Sequence, residues 1–202
     1  MRRRRLGSLG LALGLALACN RVPAGPEPEK PQRLLELRDA QGQPTFTLER
    51  VGEGFRYVEP GGSAGRVIPT AGGFRGDDPA RGPLEARRLD GGGVEIRGRQ
   101  GMLLRLTREG PSWRLGDGAG IPLARVRLDE RAGEALGHDP GGMVIIRVKP
   151  GGGRLVVSDR DGGTRALITG KLDQLSLTKA ALGALPSLGS AERALLLVAA
   201  GG

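Results

Sequence analysis

The strongest constraint on the fold of this chain is a rhythm. From residue 33 onward, short stretches of alternating apolar and polar residues are broken by glycine-rich segments every eight to twelve residues. Alternation at period two puts successive side chains on opposite faces of a strand, and many short strands separated by turn residues make an antiparallel meander. Three stretches share one pattern. The first runs Phe46-Thr47-Leu48-Glu49, turns at Gly52, continues Phe55-Arg56-Tyr57, turns at Gly61-Gly62 and returns through Arg66-Val67-Ile68. The second is Leu104-Arg105-Leu106-Thr107, Gly110, Trp113-Arg114-Leu115, Gly118 and Gly120, then Leu123 to Leu128; the third is Ile146-Arg147-Val148-Lys149, Gly152, Leu155-Val156-Val157, Gly162-Gly163, then Ala166-Leu167-Ile168. Offsets of 58 and then 42 residues hold across Leu48, Leu106 and Val148 and across Phe55, Trp113 and Leu155. The apolar residues share one sheet face, and Arg56, Arg105, Arg114 and Arg147 take the other. Unequal offsets exclude a strict solenoid; degenerate duplication and convergence of hairpins both fit.

The last thirty residues follow a different period. Thr178 to Leu185 and, after Pro186, Ser190 to Ala200 read as helices, with Ser190 as N-cap and Glu192 in the first turn, where negative charge is favoured. Leu195, Leu196, Leu197 and Val198 make the second helix apolar nearly all round, so it belongs in an interior. The expected fold is therefore mainly β: an antiparallel meander of about a dozen short strands, barrel or sandwich, with an apolar C-terminal helix. The domain limits are 33–170 for the hairpins and 171–202 for a helical segment packing on or in them. Aromatics are scarce, so Leu, Val, Ile and Ala build the core, with Phe46, Phe55, Tyr57, Phe74 and Trp113 as its large pieces. Strands followed by one apolar helix resemble, in architecture alone and over residues 33–200, the tubby and LURP-one-like fold. That resemblance implies a closed barrel around a central helix and work at lipid surfaces.

The front of the chain carries its clearest chemistry. Arg2 to Arg5 precede Leu6 to Ala18, a run of Leu, Ala, Gly and one Ser. This is the basic and then apolar layout of a secretory signal, shorter than the roughly 20 residues that cross a bilayer. Leu15-Ala16-Leu17-Ala18-Cys19 resembles the lipobox of bacterial lipoproteins. The resemblance implies cleavage between Ala18 and Cys19, a diacylglyceryl group on the Cys19 thiol and an often acylated new amino terminus. Cys19 is the only cysteine, so no intramolecular disulfide competes for it. Two or three acyl chains at about 0.8 kcal/mol per buried methylene hold stably where one would be marginal. Asn20 is not the aspartate that resembles an inner-membrane retention signal, which favours the outer membrane of the cell envelope. Residues 19–32 carry prolines at 23, 26, 28 and 31 and read as a stiff spacer.

Without the four leader arginines the formal excess of +9 falls to +5, and the remaining arginines are scattered singly or in pairs. A nucleic-acid surface would need a clustered basic stripe with stacking aromatics, so nucleic acid is not an expected partner.

Gly61-Gly62-Ser63-Ala64-Gly65 matches G-x-S-x-G in letters, but a β-like run, Arg66-Val67-Ile68, follows where a nucleophile elbow needs a helix. A hydrolase would have to pair Ser63 with His138, the one histidine. His138-Asp139-Pro140-Gly141-Gly142 reads more simply as an inter-strand loop. Asp159-Arg160-Asp161-Gly162-Gly163 lacks the closing glutamate of a calcium loop, and Gly91 to Gly93 and Gly151 to Gly153 lack the helix and lysine of a phosphate loop. No cofactor and no metal is expected. The chain is expected to be a non-enzymatic, lipid-anchored envelope protein, a binding or structural module. Its partners would be membrane lipid through acylated Cys19 and an envelope protein or lipid ligand; the alternative is a membrane-surface serine hydrolase using Ser63 and His138.

Overall fold

The computed structural model describes residues 30–171 and 175–200. Fourteen strands follow one another: β1 (Gln32–Asp39), β2 (Pro44–Val51), β3 (Gly54–Val58), β4 (Ala64–Thr70), β5 (Gly73–Asp78), β6 (Gly82–Arg88), β7 (Val94–Gly98), β8 (Gly101–Glu109), β9 (Ser112–Asp117), β10 (Pro122–Asp129), β11 (Glu134–His138), β12 (Val144–Gly151), β13 (Arg154–Ser158) and β14 (Thr164–Gly170). Each pairs antiparallel with its sequence neighbours, and β1 pairs with β14, Leu35 facing Gly170 and Asp39 facing Ala166. The meander is thus a closed barrel, which leaves no edge strand open to pairing.

The unequal offsets have a structural cause. β1–β4, β7–β10 and β11–β14 are three four-stranded units in one register. The turns after their third strands begin at Glu59, Asp117 and Asp159, spaced by the same 58 and 42 residues. The offsets differ by 16 residues, the span from Gly73 to Arg88, which is the β5–β6 hairpin standing between the first two units.

The odd-to-even turns all lie at one end, here the upper rim. Five of them share a three-residue loop, starting at Asp39, Glu59, Asp117, Asp139 and Asp159. The N–H of each first residue donates to the carbonyl four residues on, and its carbonyl accepts from the glycine N–H three residues on. That glycine sits at positive φ, +84° at Gly142, as a type I turn with a G1 bulge requires. In four of the five the aspartate Oδ1 also accepts from the N–H four residues on, each at 2.8 Å.

Fourteen strands at about 4.8 Å spacing, tilted by about 40° as barrel closure requires, make a circle roughly 28 Å across, too wide for wall side chains alone to fill. Two helices fill it: α1 (Leu177–Ala184) and α2 (Ser190–Ala199). From the lower rim, α1 rises along β10–β13; the chain turns at Pro186, and α2 descends along β3–β7. Ala191, Ala194 and Leu195 through Ala199 are all buried. Each fully buried leucine contributes about 2 kcal/mol by removal from water. Ser176 caps α1, its hydroxyl accepting from the Lys179 N–H at 3.2 Å. The N-cap of α2 is Gly189, not Ser190, which is the first helical residue. The expected role of Glu192 in the first turn is fulfilled by its carboxylate, which accepts from the Gly189 N–H at 2.9 Å and pairs with Arg81 of the β5–β6 turn. Arg193 closes the inter-helix turn, donating to the Leu185 and Leu188 carbonyls at 3.2 and 3.1 Å over the ring of Phe46.

Wall residues follow the expected alternation: Leu48, Tyr57, Val67, Leu106, Leu115 and Val148 point in and are buried, while Arg56, Arg105 and Arg114 are exposed and Arg147 is half-buried beside Glu134. Of the five large aromatics only Phe46 and Tyr57 are fully inside. Phe55, Phe74 and Trp113 stand near the lower-rim starts of β3, β5 and β9, where the lumen opens, and are partly buried.

Candidate functional site

Both ends of the described chain lie at the lower rim: the strand β1 begins there, and α2 ends there, with the Arg88 Nε donating to the Ala199 carbonyl at 2.9 Å. Between the helical hairpin and β1–β3 the rim leaves a cavity of about 370 Å³, within the range of small-molecule sites. Its walls are apolar: Leu34, Leu35, Leu48 and Phe55 from the barrel, Leu175, Leu197 and Val198 from the helical segment. Its mouth carries Gln32, Arg50, Lys171 and Lys179. Burial, followed by the nearby charge of Arg88, pushes the Lys179 ammonium below the usual lysine range. A cation held partly out of water beside another cation gains from an incoming anion. The arrangement suits an apolar chain ending in an acidic group. Nothing local in the sequence marks it, because its residues come from four segments spread over the chain and become neighbours only when the barrel closes.

The motifs singled out in the sequence fall elsewhere. Ser63 ends the β3–β4 turn and is exposed; its carbonyl accepts from the Glu59 N–H at 2.8 Å. His138 ends β11 at the same rim, seven strands away in a ring of fourteen. The structure therefore places Ser63 and His138 on opposite sides of the barrel with the helices between them, and does not bring them together. The second glycine of the G-x-S-x-G stretch has an architectural purpose. Gly65 lies across from Tyr57, and a Cβ there would sit 2.2 Å from the Tyr57 ring. The ring covers the glycine, stacks 6.3 Å from Phe46 and donates its hydroxyl to the Asp77 carbonyl at 2.6 Å. Burial, with the charges of Asp78, Glu59 and Asp77, pushes the Tyr57 hydroxyl up to about 12.

Asp159 is a turn residue. Its carboxylate is taken by the N–H groups of Gly163 and Asp161 and by Arg165, and the Gly163 bond above all holds it below the usual range. Gly91 to Gly93 form the β6–β7 turn, and Gly151 to Gly153 join β12 to β13. Among the described residues no three metal-ligating side chains gather, and no helix is long and apolar enough to cross a membrane. Ala18 and Cys19 lie outside the described residues.

A second cleft lies on the outer wall under the upper rim. It measures about 530 Å³ and is lined by Arg114 of β9, Pro122, Arg125 and Arg127 of β10, and His138, Asp139 and Pro140 at and after the end of β11. Arg125 faces Arg114 on one side and His138 on the other, so the three form a row across the sheet. Glu109 of β8 accepts from Arg125 at 2.7 Å and from Arg114 at 3.4 Å. These two bonds, that to Arg125 first, hold the Glu109 carboxyl below its usual range. Burial, then the charges of Arg127 and Arg125, push the His138 imidazole below the usual histidine value, against a backbone hydrogen bond at Arg125 and the charge of Asp139.

Comparison with protein-family models, curated proteins and solved structures finds no match to this chain.

Proposed function

We propose that this chain is a non-enzymatic, lipid-anchored protein of the cell envelope, preferably the outer membrane, and that its barrel is a binding module for an amphiphile seated in the lower-rim cavity. One observation carries the reading: apolar walls and a cationic mouth occur together at the rim where the chain enters β1 from the spacer. A Pro-rich tether from Cys19 would hold that rim toward the bilayer. An acyl chain would leave water against Leu35, Leu48 and Leu197, gaining about 0.8 kcal/mol per methylene buried. Lys179, Lys171 and Arg50 would then meet its carboxylate or phosphate.

The test has two arms. The purified full chain is titrated with a fluorescent medium-chain fatty acid; saturable binding is expected. Val198→Phe, which fills the cavity, should abolish binding, and Lys179→Gln should weaken it about tenfold, the worth of one charge-assisted hydrogen bond. Binding untouched by both variants would refute the site. In cells fed labelled palmitate, Cys19→Ser should block incorporation and leave an unprocessed precursor; unchanged processing and membrane attachment would refute the anchor.

A further inference from the structure

We propose that the outer-wall cleft between β9, β10 and β11 is a binding site for a phosphate group, with Arg114, Arg125 and Arg127 as its cationic walls and His138 as a hydrogen-bonding partner. This site is separate from the lower-rim cavity, at the other end of the barrel, and stands or falls without it.

The register sets like charges against one another at the cleft. Like charges directly opposite one another on neighbouring strands repel, yet Arg125 faces Arg114, and Arg127 extends from the same face of β10 two residues on. Glu109 relieves only the side toward β8, where it engages Arg114 and Arg125. Arg127 faces Ser112 of β9 and Leu136 of β11, and no carboxylate among the described residues forms an ion pair with it. On the β11 side Asp139 lines the cleft too, its Oδ1 accepting from the Met143 N–H at 2.8 Å, and Glu134 pairs with Arg147 of β12 at 2.9 Å. The cleft is left with more guanidinium than carboxylate.

His138 adds a half-buried imidazole to the cleft wall, beside the Arg125 backbone. Burial and the flanking arginines disfavour the charged imidazole, and a bound anion reverses the second of these effects. A carboxylate offers two oxygens. A phosphate offers enough to accept from three guanidinium forks and the imidazole at once, and arginine binds such groups in bidentate fashion. Arg56 and Arg66 supply an internal comparison: they face each other across β3 and β4 as Arg125 and Arg114 do, but no histidine stands beside them.

The test uses the fact that His138 is the only histidine in the chain. The full chain, with labelled histidine in non-ionic detergent, is titrated by NMR with inorganic phosphate at constant ionic strength, so that general screening does not vary. The imidazole resonance is expected to shift saturably and its titration midpoint to rise with phosphate bound. Arg125→Gln and Arg127→Gln should each weaken binding about tenfold, whereas Arg66→Gln should leave it unchanged. Tighter binding of short-chain phosphatidic acid than of inorganic phosphate would assign the group to a lipid headgroup; equal affinity would assign it to a free phosphate. No saturable shift, equal loss in Arg66→Gln, or acetate binding as well as phosphate would overturn the proposal.

Discussion

Replacing Gly65 with alanine tests whether the G-x-S-x-G stretch is architecture. The added methyl would fall 2.2 to 2.4 Å from three atoms of the Tyr57 ring. The ring has little room to retreat: Tyr57 is 1 % exposed, stacks on Phe46 and bonds the Asp77 carbonyl. Forcing extra volume into such a site costs about 1–3 kcal/mol, and losing the Tyr57 hydrogen bond adds about 1 kcal/mol. The sum, about 2–4 kcal/mol, lowers the melting temperature of a domain this size by roughly 5–15 °C. Thermal and urea unfolding of Gly65→Ala, Tyr57→Val and the double variant form a cycle. With the ring gone the methyl has space, so the cost of Gly65→Ala should nearly vanish in the Tyr57→Val background, a coupling of about 2 kcal/mol. Equal costs in both backgrounds, or a cost below about 0.5 kcal/mol in the parent, would refute the claim that Gly65 is required by the ring.

Two further outcomes follow from the same interior. Leu196→Asp places a charge on a side chain that is 2 % exposed inside the lumen and should cost at least about 4 kcal/mol; an unaltered melting temperature would show that α2 is not seated there. Tyr57 titrates near 10 when unfolded and about 12 when folded, so the native state keeps the proton longer. The stability this contributes is complete below pH 10 and is lost as pH rises from 10 toward 12. Tyr57→Phe should flatten that part of a stability profile measured by urea unfolding, and an unchanged slope would show that another group governs it.

The wall of the barrel was legible because strand alternation and turn chemistry are local. The inward Leu48, Leu106 and Val148 and the outward Arg56, Arg105 and Arg114 followed from period two alone, and α2 was expected inside because Leu195 to Val198 leave no polar face. Ser190 was the natural cap by residue type, yet the chain enters α2 one residue earlier, where Glu192 reaches back to the Gly189 amide. Phe55, Phe74 and Trp113 have core composition, but their depth depends on where each strand meets the rim. That the β5–β6 hairpin accounts for the 16-residue difference between the offsets could not be read before the strands were paired.

By itself the sequence determined the strand faces and the two C-terminal helices, since each rests on residues within a few positions of one another. Strand pairing and closure determined the rest. Closure of β1 on β14 joined residues 32–55 to 171–198 around one cavity and set Ser63 across the barrel from His138, and the register of β9, β10 and β11 aligned Arg114, Arg125 and His138 in one row. Such neighbours come from pairing register and barrel circumference, which depend on every strand at once and leave no signature at any single position.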